Sequence, residues 1–244
     1  MLEATLKKPE NSVVREKLFK HRFLYDVQLA FLSRGKSILY YESDYDKDGF
    51  DLLFDNLGTQ KHIQMKSILS SSKRSTFDVH RSLLRPSINE LNNFPLAHDS
   101  FGVGYGGGVV LIEANVNAEI VSIKYKYCDG LILTAFHAGY FKYSSKIKQN
   151  SVIKAFERFQ DPKAIGGTVT LTKSCFIEFK NVSALFNYLG LGGYGDVGHY
   201  NLMRAVARKY GLSKQCDKKY SVEDWKSIVS HDFNDLVHWG DLQC

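Results

Sequence analysis

The chain has 244 residues, long enough for one large domain or a core with a smaller second module, and its 44% hydrophobic and 13% aromatic content can fill a substantial core. Charged residues at 24% exclude wholesale disorder, and 32 Lys and Arg against 26 Asp and Glu give a net charge of +6, a mild bias towards polyanions. No apolar run approaches the ~20 residues needed to cross a membrane, and the opening MLEATLKKPENS has no apolar stretch of the secretory kind.

These features predict a soluble, cytoplasmic protein with no membrane partner. Cys128, Cys175, Cys216 and Cys244 are scattered without a CxxC pair, which argues for free thiols and against a zinc site. The Asn181-Val182-Ser183 sequon then carries no meaning.

The first element is a helix over Ser12 to Leu32, with Ser12 as N-cap and Gly35 closing the run. Val14, Leu18, Phe23, Val27, Ala30 and Phe31 recur mostly at three- and four-residue steps, so one face should pack on a sheet. Short strands are expected at Ser37 to Tyr41, Phe50 to Phe54 and His62 to Lys66. An acidic turn from Glu42 to Asp48 separates the first two, and a turn from Asp55 to Thr59 separates the second and third.

The polar run Ser70 to Ser75 reads as a loop, and Thr76 to Asn93 as a helix kinked at Pro86. Val109 to Ile112 and Leu131 to Ala135 are apolar runs of buried-strand type, with an alternating strand from Glu119 to Tyr127 between them. The order gives an α/β fold with a central mixed sheet over residues 1–143.

Residues 144–244 read as a C-terminal α/β extension or second lobe. It should hold a helix from Lys146 to Gln160, a pair of strands within Gly167 to Lys180, and helices near Tyr200 to Tyr210 and Val222 to Val237. Trp225 and Trp239 are expected in its core.

The chemistry concentrates in Asp48-Gly49-Phe50-Asp51 and Gln64-Met65-Lys66. If Asp51 and Gln64 pair across an antiparallel hairpin, its centre falls between Leu57 and Gly58, inside the expected turn. Alternation then gives Asp51, Leu53 and Asp55 one face, shared with His62, Gln64 and Lys66. Phe50, Leu52, Phe54, Ile63 and Met65 take the other. A surface hairpin would alternate in the same way, but it would not require a carboxylate, an amide oxygen and an ammonium to converge.

This pattern resembles the Mrr-type branch of the PD-(D/E)XK nucleases, in which Gln replaces the acidic residue before x-Lys. The resemblance spans roughly residues 12 to 136 and implies a restriction-endonuclease-like core of helix, three-stranded antiparallel meander, helix and further strands. It also implies Asp51 and Gln64 as ligands of magnesium or manganese, Lys66 as the catalytic lysine, and an acid supplied by the first helix. Asp26, nine residues before Gly35, is the expected helix acid. Glu16 is the competitor, ten residues away and so about 15 Å distant along the helix. Asp48 in the acidic turn is a further candidate at the metal, against a solvated turn residue.

The implied activity is metal-dependent hydrolysis of phosphodiester bonds in DNA, in a bacterial restriction or anti-phage role, with a two-fold dimer or partner subunits of a defence system as the assembly. The alternative is an inactive nuclease fold used for nucleic-acid binding or assembly. Lys73, Arg74 and Arg81, with His80 and Arg85 nearby, are the candidate phosphate contacts, although a solvated basic face would look the same. Gly102-x-Gly104-x-x-Gly107 matches the dinucleotide fingerprint but precedes a strand instead of joining strand to helix. It is read as a loop, as is the cluster Gly190 to Gly198, while His231 and His238 are too far apart for a helical metal pair.

Overall fold

The structure is a computed structural model and describes residues 2–43, 49–56, 59–87, 103–117, 120–161, 167–192, 198–211 and 220–244. A short helix α1 (Leu2–Lys7) leads into α2 (Ser12–Leu32). The long helix has the expected bounds, but its N-cap is Asn11 and Ser12 is already helical. Gly35, at φ 66°, closes the turn beyond it with its N–H on Leu32.

Strands β1 (Leu39–Glu42), β2 (Leu52–Asn56) and β3 (Thr59–Leu69) follow as an antiparallel meander. β5 (Gly108–Asn117) lies parallel to β3, and β6 (Ile120–Asp129) returns antiparallel to β5. With β9 (Ile177–Phe179) at the far edge, the central mixed sheet has six strands in the order β1-β2-β3-β5-β6-β9. A parallel neighbour cannot be reached by a tight turn, which accounts for the long connection between β3 and β5.

That connection is where sequence and structure part. Thr76 to His80 is a strand, β4, and only Arg81–Leu84 forms a single helical turn, α3. Thr-Phe-Asp-Val-His has a period of two: Phe77 and Val79 are buried while Thr76 and Asp78 are exposed. The rest of the expected helix lies mostly outside the described residues.

Leu131 to Ala135 is also not a strand but lies within helix α4 (Gly130–Ala138). Asp129 caps it by accepting the Ile132 N–H at 2.7 Å, and Gly139 at φ 81° terminates it. The helix is buried nearly all round, so its apolar run carries no readable period.

After β7 (Lys142–Tyr143), helix α5 spans Lys146–Gln160 as expected. The two strands expected next are present as β8 (Thr168–Thr172) and β9, but they do not pair with each other. β8 joins β4, with Phe77 opposite Leu171 and Val79 opposite Val169, while β9 joins β6.

Helices α6 (Val182–Tyr188), α7 (Gly198–Lys209) and α8 (Val222–Asn234) and strand β10 (Leu242–Gln243) complete the fold. Residues beyond 144 therefore supply an edge strand to the central sheet and, in α6, a helix packed on α2. Trp225 is buried and Trp239 partly buried against the same core.

The α2 face of the sheet is organised by aromatic rings. Phe23 of α2 lies 6.2 Å from Phe54, 5.4 Å from Tyr125 and 6.2 Å from Phe186 of α6. This contact fixes which way β2 and β3 turn their side chains. No described helix is long and apolar enough to cross a membrane.

Candidate active site

The hairpin register is the expected one. Leu52 faces Ile63, Leu53 faces His62, and Asn56 faces Thr59. Leu57 and Gly58, at its centre, lie outside the described residues, as do Asp44, Asp46 and Asp48.

Asp51 leaves this register. Its N–H donates to Ile63 O at 2.9 Å, although Ile63 already faces Leu52. Two residues therefore oppose one, as in a β-bulge, a device that re-aims a side chain. The shift is visible on both sides of Asp51. Phe50 does not join Leu52 and Phe54 but packs at 4.6 Å on His62, on the reverse face. The Asp51 carboxylate turns towards β3 and accepts the N–H of Met65.

Gly49 makes this entry feasible. It sits at φ 71°, and a Cβ there would lie 2.4 Å from the His80 ring, so only glycine fits.

Asp51, Met65, Lys66 and Ser67 border a cavity of about 210 Å³ with Ile112 and with Val13, Glu16, Lys17 and Lys20 of α2. Of the two candidate helix acids, Glu16 is the one at this cavity. Asp26 is engaged elsewhere: it binds Arg22 at 3.0 Å one turn away and accepts the Tyr125 hydroxyl. Burial, with Asp26 as hydrogen-bond partner, pushes the Tyr125 hydroxyl far above its ordinary range. Asp26 is thus a link between α2 and β6, and contrary to the expected placement it does not border this cavity, whereas Glu16 does.

The expected convergence of Asp51, Gln64 and Lys66 on one face is also altered. Leu52 and Phe54 face α2, so alternation turns Ile63, Met65 and Ser67 to α2 and Gln64 to the reverse. Gln64 does not border the cavity. It is 6% exposed, and its Oε1 is buried with no hydrogen-bond partner among the described residues. Strict alternation would turn Lys66 the same way, yet Lys66 borders the cavity between Met65 and Ser67. The hairpin's polar face thus does not hold the three together, because the bulge moves Asp51 across the sheet.

Glu16 could have been chosen from the sequence only by knowing this. A helix side chain reaches this cavity only from the face of α2 that meets the strand segment around Met65, and the packing of Phe23 on Phe54 sets that face.

Among the candidate phosphate contacts, Lys73 and Arg74 are exposed as expected, in the turn between β3 and β4. Arg81 is not. It is 1% exposed, its Nε donates to Phe159 O at 2.7 Å, and burial followed by repulsion from Arg85 pushes its pKa down, against attraction by Asp161. It is a buried strut between α3 and the end of α5, out of reach of a surface phosphate.

The glycine motif is structural too. The N–H groups of Gly104, Tyr105, Gly106 and Gly107 donate to carbonyls of Pro86, Ser82, Arg85 and Leu83. A Cβ at Gly107 would sit 2.2 Å from His62 O. These amides are spent on the chain itself and cradle no phosphate. Gly102 lies outside the described residues.

A larger cavity of about 920 Å³ opens at the β6–β9 edge and is lined by Lys124, Lys126, Lys148, Lys173 and Lys180. Its charge is largely compensated. Glu178 pairs with Lys124 and Lys126, Glu113 with Lys126, and Asp241 with Lys148.

Among the described residues, no three His, Cys, Asp and Glu side chains are grouped to hold a metal ion. Compared with protein-family models, curated proteins and solved structures, the chain matches none.

Proposed function

We propose that the protein is a divergent metal-dependent nuclease of the PD-(D/E)XK type, acting on phosphodiester bonds in DNA. The observation that carries this reading is the bulge at Asp51. It brings a carboxylate from the entry to the middle strand of an antiparallel meander to a cavity shared with Lys66 and with Glu16 of the preceding helix. The order of helix, three-stranded antiparallel meander and further strands agrees with part of the core that the resemblance implies, while the helix expected after the meander is represented among the described residues only by the single turn α3.

The donor set fits magnesium, which is commonly held by one or two carboxylates with water completing its shell. Asp51 and Glu16 would hold it. Bound there, it supplies neutralisation of phosphoryl charge and an activated water. Lys66 borders the same cavity, and its ammonium would orient that water and stabilise the pentavalent transition state. Lys17 and Lys20 add positive charge at the mouth of the same cavity, although Lys20 is shared with Glu42 at 2.6 Å.

The test is cleavage of plasmid, linear, single-stranded and RNA substrates in magnesium or manganese, with Lys66→Ala as control. Cleavage that disappears in the variant, with folding intact, supports the assignment. A variant that cuts plasmid as fast as wild type overturns it. The second reading, a nuclease fold that binds without cutting, draws on the burial of Gln64 away from the cavity. Absence of cleavage on all four substrates, with binding retained, would establish that reading instead.

A further inference from the structure

Ser67 borders two cavities. One is the candidate active site; the other, of about 290 Å³, is lined by Lys7, Arg15, Ser71, Ser72 and Arg74 besides Ser67. Three cations and three hydroxyls therefore surround a space that adjoins Asp51 and Lys66.

The internal partners of this cluster do not satisfy it. Lys7 is paired with Glu3 at 2.7 Å, and the same carboxylate accepts the Ser71 hydroxyl at 3.2 Å. Among the described residues Arg15 donates to a main-chain carbonyl, that of Leu6, and its Nε is buried with no partner. Arg74 donates through Nε to Thr76 O at 3.2 Å and lies over the Phe77 ring. Neither arginine has a carboxylate within ion-pair distance among the described residues. The Ser67 hydroxyl is also buried without a partner among the described residues.

A buried donor without an acceptor is destabilising, and a guanidinium presents its N–H groups in a fork that matches phosphate oxygens. One oxyanion in this space would meet both orphan donors and the uncompensated charge.

We propose that this second cavity is a subsite for a neighbouring phosphate of the strand being cut, held by Arg15, Arg74 and the Ser67 hydroxyl. The inference rests on the nuclease reading and sharpens it. The substrate class is a polynucleotide engaged through at least two phosphates, and a mononucleotide or phosphomonoester would fill only half of the site. Ser67 is the joint between the two subsites, so the strand runs from the α2–β3 cavity towards the turn between β3 and β4.

Binding without turnover tests this. The full chain is titrated into a fluorescently labelled 12-nucleotide single strand in EDTA, at several salt concentrations, followed by anisotropy. Wild type should bind, and Arg15→Gln with Arg74→Gln should bind at least about tenfold more weakly. The slope of log affinity against log salt should fall by about 0.7 for each lost contact. Ser67→Ala, which removes only a hydroxyl, should weaken binding in the same direction and stands in if the double variant fails to fold.

Wild-type affinity and salt slope in both variants would overturn the proposal, as would no binding by wild type. Cleavage by Lys66→Ala at the wild-type rate is a separate result. It would remove the nuclease reading while leaving the binding measurement to decide the subsite.

Discussion

The Asp51 carboxylate accepts the backbone N–H of Met65, so an acid that regular alternation would place beside Leu53 is held instead on the α2 side of the sheet. One hydrogen bond and one extra residue in β2's approach decide which helix side chains the acid can work with.

Asparagine can keep that hydrogen bond while losing the charge. Asp51→Asn should therefore fold normally yet lose cleavage by on the order of 100-fold or more, as expected for a group that stabilises transition-state charge. Asp51→Ala should lose cleavage and also about 1–3 kcal/mol of stability, because the Met65 N–H is left without its acceptor. Urea denaturation beside plasmid cleavage separates the two effects. Equal stability of both variants would mean that the bond to Met65 does not hold the bulge.

Glu16 and Asp26 should behave as opposites. Glu16 is exposed on α2, so Glu16→Gln should change stability by less than about 0.5 kcal/mol while reducing cleavage sharply. Asp26 bonds Tyr125 and Arg22, so Asp26→Asn should cost about 1 kcal/mol and leave cleavage near wild type. The reverse pattern would return Asp26 to the site.

Arg81 should not contribute to nucleic-acid affinity. Arg81→Met keeps the apolar stem and removes a buried charge whose Nε bonds only Phe159 O, a change that is often neutral or stabilising in buried ion sites. Its denaturation midpoint is expected to hold or rise, while the salt dependence of DNA binding stays at the wild-type slope. A shallower slope would show that the guanidinium reaches phosphate after all.

Acid should act partly through Glu178. Burial pushes its carboxyl up, but the hydrogen bond from Lys124 and the charges of Lys126, Lys124 and His238 outweigh this and hold it below the ordinary range. Between the folded and unfolded values the unfolded chain binds the extra proton. The stabilisation is thus present above the unfolded pKa and lost as pH falls through the folded one. Melting temperatures taken from about pH 6 to about pH 3 should fall less steeply for Glu178→Gln than for wild type. Parallel curves would show that the lysine pairs at this edge contribute nothing.

The sequence by itself determined the elements whose signals are local. The Ser12 to Leu32 helix, the register of the Leu52 to Ile63 hairpin and the Lys146 to Gln160 helix follow from apolar period and turn chemistry. It could not determine α4, because a helix buried nearly all round has no polar face to set a period. β4 carried a period-two signal of its own, but the sequence could not name its partner β8, which enters 88 residues after β4 ends. At the site, sequence supplied Asp51, Lys66 and two rival helix acids. Only tertiary structure shows that Glu16 and not Asp26 borders the cavity with Asp51 and Lys66, since the bulge at Asp51 and the stacking of Phe23 on Phe54 set which face of β3 meets which turn of α2. Contacts between distant segments decide facing, and a strand shifted by one residue exchanges its faces.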